Sequence, residues 1–466
     1  MPSRPRRSHA GLPRAAAAIS AALLLVPAPG VPAPARRAGD PSPDAPPNVL
    51  LLTIDTLRAD RLSSYGYGRP TTPHLDRLLA RGVRFTQART PEPLTNPALS
   101  SLLTSLHPHE HGATRNGLRM RPRLPSLASI LDAHGYQTAA FVANWTLKDK
   151  LSGMAEHFDD YREVFTRKRW FGLMSDEATA HDVNAEALAW LEPRAGRRRP
   201  FFAWVHYVEP HAPYRFQEAH AARLGLGRER DATRSDRYDT EIAFADDAAG
   251  ELLEWIEARP EVARRTLIVF TSDHGESLGE NDYWGHGRNL YEPGLRVPLG
   301  VAWPGRLRPA TVDAPATLLD VAPTVLGLLG LDVTSGLRGH DWSAVLAGGG
   351  SPPAGRRTHY QAHKGAVLQA QDARQARRSG LLEIGVLEGG TKEVLRIQNG
   401  REHRLHDLAA DPAEQRNLAA GNDEPTDPLG AWRDEVEHGL ATAPDLPPVE
   451  IDEESAKKLR SLGYTG

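Results

Sequence analysis

Four short, continuous apolar runs constrain this chain most. They are "NVLLLTID" (48–55), "TAAFVAN" (138–144), "FFAWVHY" (201–207) and "TLIVFTSD" (266–273). Runs this short, without polar alternation, are the signature of strands buried on both faces. Between them lie segments with helical spacing: "TTPHLDRLLARG", "LPSLASILDAHGY" and "TEIAFADDAAGELLEWIEARP". In the first, Thr72 offers an N-cap, Pro73 a first helical position and Gly82 a stop. Strands alternating with helices predict an α/β fold with a mostly parallel sheet covered on both sides.

Glycine and proline concentrate in "AGGGSPPAGRR" (347–357), which marks a boundary. The expected catalytic domain is therefore 48–347. Beyond the boundary, "LEGGTK" and "IQNGRE" carry hairpin signals, so 358–417 reads as a small antiparallel-sheet unit within an α+β subdomain. The remainder, 418–466, reads as a polar tail with a short helix at "EESAKKLRSLGY". At the other end, Arg4, Arg6, Arg7 and Arg14 precede "AAAAISAALLLVPA", and small residues and prolines follow. Residues 1–35 are expected to be a signal peptide and 36–47 a Pro-rich linker, which predicts export to the periplasm or the extracellular space. Membrane association is expected only if that segment stays uncleaved.

The 466 residues carry a net charge of −3 and no cysteine. The charge gives no basic field for nucleic acid. The missing cysteine excludes disulfides, thiol nucleophiles and thiolate metal sites.

In open parallel sheets, ligands bind beyond the carboxyl ends of the strands. The first run ends at Asp55 and the last leads to Asp273 and His274. The second ends at Asn144, with Thr146 just beyond, and the third leads to His211. Two carboxylates and an imidazole can hold one divalent cation. An aspartate at a strand end can equally cap the next helix. The same ambiguity attends Thr95 in "PEPLTNPALSSLLTSLHPHEHG": it can cap a helix, or it can be a nucleophile activated by a helix N-terminus and a metal.

At this point the residues resemble a known family. "LLTIDTLRADRLSSYGYGRPTTPHLDRLLARGVRFTQA", "SSLLTSLHPHEHG", "WVHYVEPHAPY", "FTSDHGESLGE", "WGHG", "LYEPGLRVPL", "LLDVAPTVLGLLGL" and "HRLHDLAADPAEQRNLA" resemble, in order, the markers of the sulfatase family within the alkaline phosphatase superfamily. The resemblance implies an alkaline-phosphatase-like mixed sheet. It also implies Asp55, Asp273, His274 and Thr95 around one divalent cation (Ca, Mg, Mn or Zn). His211 and His286 would be catalytic, and Asn116, Asn144 and Thr146 would bind substrate.

The chain departs from the family pattern where sulfatases oxidise a Cys or Ser to formylglycine. Here the register reads Thr95, Asn96, Pro97, Ala98, Leu99, and the arginine of the signature is missing. A threonine ester cannot be released by elimination from a geminal diol, so water must displace it in a second in-line step. Asn144 and Thr146 stand where many sulfatases have Lys and His; loss of that lysine and of the signature arginine makes the pocket less cationic, which suits a monoanionic diester or sulfate better than a phosphate dianion. The implied function is metal-dependent hydrolysis of a sulfate or phosphate (di)ester through Thr95, on a small-molecule, glycan or lipid ester. A phosphoryl-linked group transferase acting on a lipid or polymer acceptor, and a non-catalytic binder of the same fold, are the alternatives.

Overall fold

The four apolar runs become the centre of one eight-stranded sheet. A computed structural model describes residues 45–464 except 168–174, 333–334, 399, 401, 420, 422–423 and 443–450. The expected signal segment 1–35 lies outside the described residues, as does 36–44 of the linker. The strands of the main sheet are β1 (Asn48–Ile54), β2 (Val83–Arg89), β3 (Gln137–Val142), β4 (Asp160–Glu163), β5 (Phe201–Tyr207), β6 (Thr266–Ser272), β7 (Leu299–Ala302) and β8 (Ala310–Thr317). Their order is β8-β2-β7-β6-β1-β5-β3-β4. β1 pairs in parallel with both β5 and β6, and β5 with β3. Only β7 runs against its neighbours, β2 and β6. The sheet is thus mixed and mostly parallel, as the sequence predicts.

Alternation along β1 shows how the sheet is covered. Val49 and Leu51 face one apolar cluster, while Leu50, Leu52 and Ile54 face another. On the first face lie α1 (Thr95–Thr104), through Ala98, Leu99, Leu102 and Leu103, and α2 (Val321–Leu328). On the second lie Pro73–Arg81, Ala180–Leu191 and the 24-residue helix Arg234–Glu257. All ten residues of α1 are buried, so a leucine truncated to alanine there costs about 2–5 kcal/mol. The start of Pro73–Arg81 departs from expectation: Thr72 makes no capping bond. Asp246 instead accepts from His74 N and Leu75 N, at 3.0 and 2.9 Å, so the cap comes from another helix.

The C-terminal sheet is β9 (Thr358–His363), β10 (Leu381–Glu388), β11 (Thr391–Arg396) and β12 (Glu402–Asp407), antiparallel throughout. Gly389 and Gly390, at φ 57° and 86°, form the tight turn between β10 and β11 that only left-handed backbone allows. The segment read as a polar tail holds two helices, α3 (Asp427–Thr442) and α4 (Glu453–Ser461). α3 buries Leu429, Trp432, Val436 and Leu440 against the small sheet. Its apolar residues recur at helical spacing, a signal diluted by the charges between them.

Candidate active site

The central parallel strands end on one edge, and the residues after them converge. Asp55 follows β1, and Asp273 and His274 follow β6; one ligand atom from each lies within 4.8 Å of the others. All three are fully buried. His274 Nδ1 lies 2.8 Å from Gly275 O. A carbonyl only accepts, so Nδ1 carries the proton and Nε2 presents a lone pair. That lone pair faces Asp273 Oδ2 at 3.3 Å and Asp55 Oδ1 at 3.7 Å. Burial keeps the ring below the usual imidazole range even against the pull of Asp273. Asp273 Oδ1 accepts from Thr56 N and His274 N, whereas Oδ2 accepts no hydrogen bond.

Acceptors turned on one another in a dry site repel unless a cation stands between them. The donor set therefore fits one divalent metal with oxygen ligands and a single imidazole, a chemistry open to Ca²⁺, Mg²⁺, Mn²⁺ and Zn²⁺. Thr56, beside Asp55, is held at φ 56°, an unfavourable conformation for a β-branched residue, and its backbone is fixed by Asp273 and Tyr238.

Thr95 opens α1 beside this cluster. Leu94 occupies the N-cap position and no side chain caps the helix. Instead, Thr95 Oγ1 lies 3.3 Å from His274 Nε2. The capping reading of Thr95 therefore falls. The helix end does not offer a row of free donors either: Asn96 N donates to Asn116 Oδ1 at 3.0 Å, and Pro97 has no N–H. The same bond fixes the Asn116 amide, whose buried Nδ2 donates to nothing. Leu99, at the place of the missing arginine, packs in the apolar cluster.

The other expected site residues fall into two groups. Asn144 donates through Nδ2 to Asp55 Oδ2, and its Oδ1 accepts from Thr146 N and Thr146 Oγ1, both at 2.7 Å. These two residues hold a carboxylate of the cluster. His211 and His286 face each other, with ring centroids 5.0 Å apart, and His286 lies 4.5 Å from the His274 ring.

Three further residues belong to the site. Glu276 Oε1 lies 3.0 Å from His286 Nδ1, and Oε2 accepts from Tyr214 at 2.7 Å. Burial would raise the Glu276 carboxyl, but His286, His211 and the Tyr214 hydroxyl outweigh it and hold it below the usual carboxylate range. His206 Nε2 faces Asp55 Oδ2 at 3.9 Å, with Nδ1 held by Thr53 Oγ1 at 2.8 Å. Burial lowers the His206 ring to about 4. Tyr464 Oη lies 3.1 Å from His211 Nε2. Glu276 and His206 stand inside sequence markers quoted above; for Tyr464 the sequence carries no signal. A cavity of about 200 Å³ opens beside these groups, lined in part by Tyr214, Arg234, Trp284, His286, Arg288 and Tyr464.

The histidines of "HPHEHG" are used for packing. His111 Nε2 meets Ser101 Oγ at 2.9 Å, and its Nδ1 accepts from Ala113 N. His107 and His109 stack at 6.0 Å and lean on Trp432 of α3.

Residues 47–331 match the family described as "Sulfatase", and residues 279–427 match "N-sulphoglucosamine sulphohydrolase, C-terminal". The chain is 28% identical over 339 residues to the ulvan-active sulfatase of Formosa agariphila, covering 64% of this chain and 65% of that protein. It is 27% identical over 455 residues to the choline-sulfatase of Rhizobium meliloti, covering 83% and 86%. Among solved structures, BT4656 in complex with its substrate D-glucosamine-2-N,6-O-disulfate superposes with a TM-score of 0.66 at 20% identity, covering 86% of this chain and 99% of that one. The phosphonate monoester hydrolase of Agrobacterium radiobacter gives 0.63 at 22%, covering 86% and 96%. At these identities, the structural likenesses are likenesses of fold.

Proposed function

The chain belongs to the sulfatase family, and from that premise we propose that it hydrolyses sulfate or phosphate-type monoanionic esters through an unmodified Thr95. The observation that carries this is the hydroxyl of Thr95 lying 3.3 Å from His274 Nε2, beside the buried Asp55 and Asp273. Relatives named as sulfatases and fold neighbours named as phosphonate monoester hydrolases bracket the ester classes.

Asp55, Asp273, His274 and the Thr95 oxygen would hold one divalent cation. When bound, the cation acts as a Lewis acid that lowers the hydroxyl's pKa and offsets charge on the transferred group. Thr95 gives up its proton to solvent water, and Oγ1 attacks sulfur or phosphorus in line, forming a threonine ester as the bond to the leaving oxygen breaks. The Asn116 Nδ2 amide, buried and without an acceptor, donates to an oxygen of the transferred group. Asn144 and Thr146 keep Asp55 in place.

The leaving oxygen takes its proton from a histidine. The Glu276 carboxylate accepts at His286 Nδ1, so that nitrogen carries a proton and Nε2 is the atom that gives one up when the ring is protonated. His211 does not fit this role. Its Nδ1 lies 2.7 Å from Ala212 O, and burial and His286 lower the ring to about 4. It is therefore neutral near pH 7, with an accepting Nε2. Of the two expected catalytic histidines, His286 is the acid and His211 an acceptor that orders the leaving-group side. Water then attacks the threonine ester, His286 takes a proton from it, and Thr95 is regenerated.

The test is turnover of an aryl sulfate, a phosphate monoester, a phosphodiester and a phosphonate monoester by wild type, Thr95→Ser and Thr95→Ala. We expect Thr95→Ser to retain turnover and Thr95→Ala to lose it. Equal rates for wild type and Thr95→Ala would reject the role of Thr95.

A further inference from the structure

The "polar tail" enters the site. Asp452 is the N-cap of α4: its Oδ1 accepts from Ser455 N at 2.7 Å, and Asp452 also pairs with Lys150 at 2.7 Å. The helix ends in a paired-bond turn: Gly463 N donates to Arg460 O and Tyr464 N to Leu459 O, each at 3.1 Å, with Gly463 at φ 88°. This is the Schellman geometry, and it needs glycine where "LRSLGY" has it. The turn aims Leu462 and Tyr464 inward. Leu459, Leu462 and Tyr464 pack with Leu94, Trp145, Leu151 and Ala366. Leu94 immediately precedes Thr95, and Trp145 stands between Asn144 and Thr146, so the segment packs in one cluster with the loops that carry Thr95 and Asn144.

Tyr464 itself is 5% exposed, with its ring 5.5 Å from His286 and 5.8 Å from His211. Because His211 Nδ1 carries the proton, Nε2 accepts and the Tyr464 hydroxyl donates to it. Leu462, Gly463 and Tyr464 also form one wall of the cavity of about 200 Å³ that borders His286. Ligand sites for whole small molecules are commonly about 300–1,000 Å³, so the space left is narrow.

We propose that Tyr464 is a specificity-determining and positioning residue: its hydroxyl fixes His211, and its ring closes the leaving-group pocket, so that the protein accepts esters of small alcohols or phenols, or of chain-end groups, and rejects mid-chain positions of a polymer. The proposal rests on His286 facing the leaving group, as argued above. Tyr464 transfers no proton in it; the proton path stays with His286.

Two variants of the full chain separate the hydroxyl from the ring. Tyr464→Phe keeps the wall and loses the donor; Tyr464→Gly loses both. Each is assayed on a 4-nitrophenyl ester and on the fluorescein ester of the same acid. Tyr464→Phe should lower kcat about ten-fold, leaving KM and the preference between the two esters unchanged. Tyr464→Gly should raise KM for the small ester and shift the ratio of kcat/KM toward the bulky ester by about ten-fold. A second readout is independent of turnover: carbethoxylation of His211 by diethylpyrocarbonate, followed on its peptide by mass spectrometry. Its rate should rise at least about ten-fold in Tyr464→Gly, because Nε2 is uncovered. Unchanged His211 labelling in Tyr464→Gly overturns the proposal whether or not any ester is hydrolysed. Active variants with wild-type kcat and wild-type ester preference overturn it too. If wild type turns over no ester while His211 labelling still rises, Tyr464 stands as the wall over His211 and the hydrolase reading fails instead.

Discussion

Asp55, Asp273, His274 and Thr95 form one side of the candidate site; His211, His286, Glu276 and Tyr464 form the other. The first set sits directly after strands β1 and β6 or at the start of a fully buried helix, so the sheet itself fixes it. The second set comes from loops and from the turn that follows α4, and is fixed by hydrogen bonds between side chains: Glu276 to His286, Tyr464 to His211. A rigid inner half suits ligands whose geometry must not vary. A loop-built outer half can be altered without disturbing the core, and it is the half we propose to set substrate preference. Damage to the inner half should therefore abolish turnover, and damage to the outer half should grade it.

The largest effect is expected from the inner half. Asp273→Asn should lower kcat/KM by about 1,000-fold or more, and chelation of wild type should do the same reversibly, with activity returning on addition of a divalent cation. Metal content per protein, measured on the same samples, checks that the loss follows the ion. Next comes the outer dyad. Glu276→Gln removes the carboxylate that holds His286 and should lower kcat about 100-fold, with KM nearly unchanged. A 1,000-fold loss there would erase the distinction between the halves. Asn116→Ala, which deletes one buried donor, should cost about ten-fold in kcat and leave metal content unchanged.

The smallest effect tests packing away from the chemistry. Burial, with Arg338 the next cause, lowers His109 to about 3, and burial, with Arg357 the next, lowers His359 to about 4. Below the ordinary histidine value of 6.5, the unfolded chain binds protons that these folded sites refuse, so stability rises with pH in this window. It should be full above about pH 6.5 and fall as the pH drops toward 4 and 3, seen as a lower Tm. His359→Gln should flatten that slope and leave ester turnover unchanged.

How much of this was legible in the sequence follows the same division. The strands and the residues after them could be read because an unbroken apolar run fixes both the strand and the edge where its polar successor lies. "NVLLLTID" gives Asp55 and "TLIVFTSD" gives Asp273 for that reason. The outer half could not be read so. Glu276 and His206 lie inside recognisable markers, but nothing local says that one meets His286 and the other faces Asp55. Tyr464 is 253 positions from His211, and the glycine turn that aims it looks like any helix stop. Local patterns also misled: Thr72 has the spacing of a cap, yet Asp246 does the capping from another helix. The helix start after Thr95 promises anion-binding donors, but Asn116 has taken one and Pro97 removed another. The three histidines of "HPHEHG" carry no pattern that says where they pack, and they lie against Trp432 and Ser101.

The claim on which the rest depends is that the Thr95 oxygen becomes esterified during turnover. Wild type and Thr95→Ala should be acid-quenched while hydrolysing an aryl ester, digested, and the peptide containing residue 95 weighed and fragmented. A sulfuryl or phosphoryl increment on Thr95 in wild type, absent from the variant, is the predicted result. Multiple-turnover hydrolysis by Thr95→Ala at the wild-type rate, with no increment on that peptide in either protein, would contradict it.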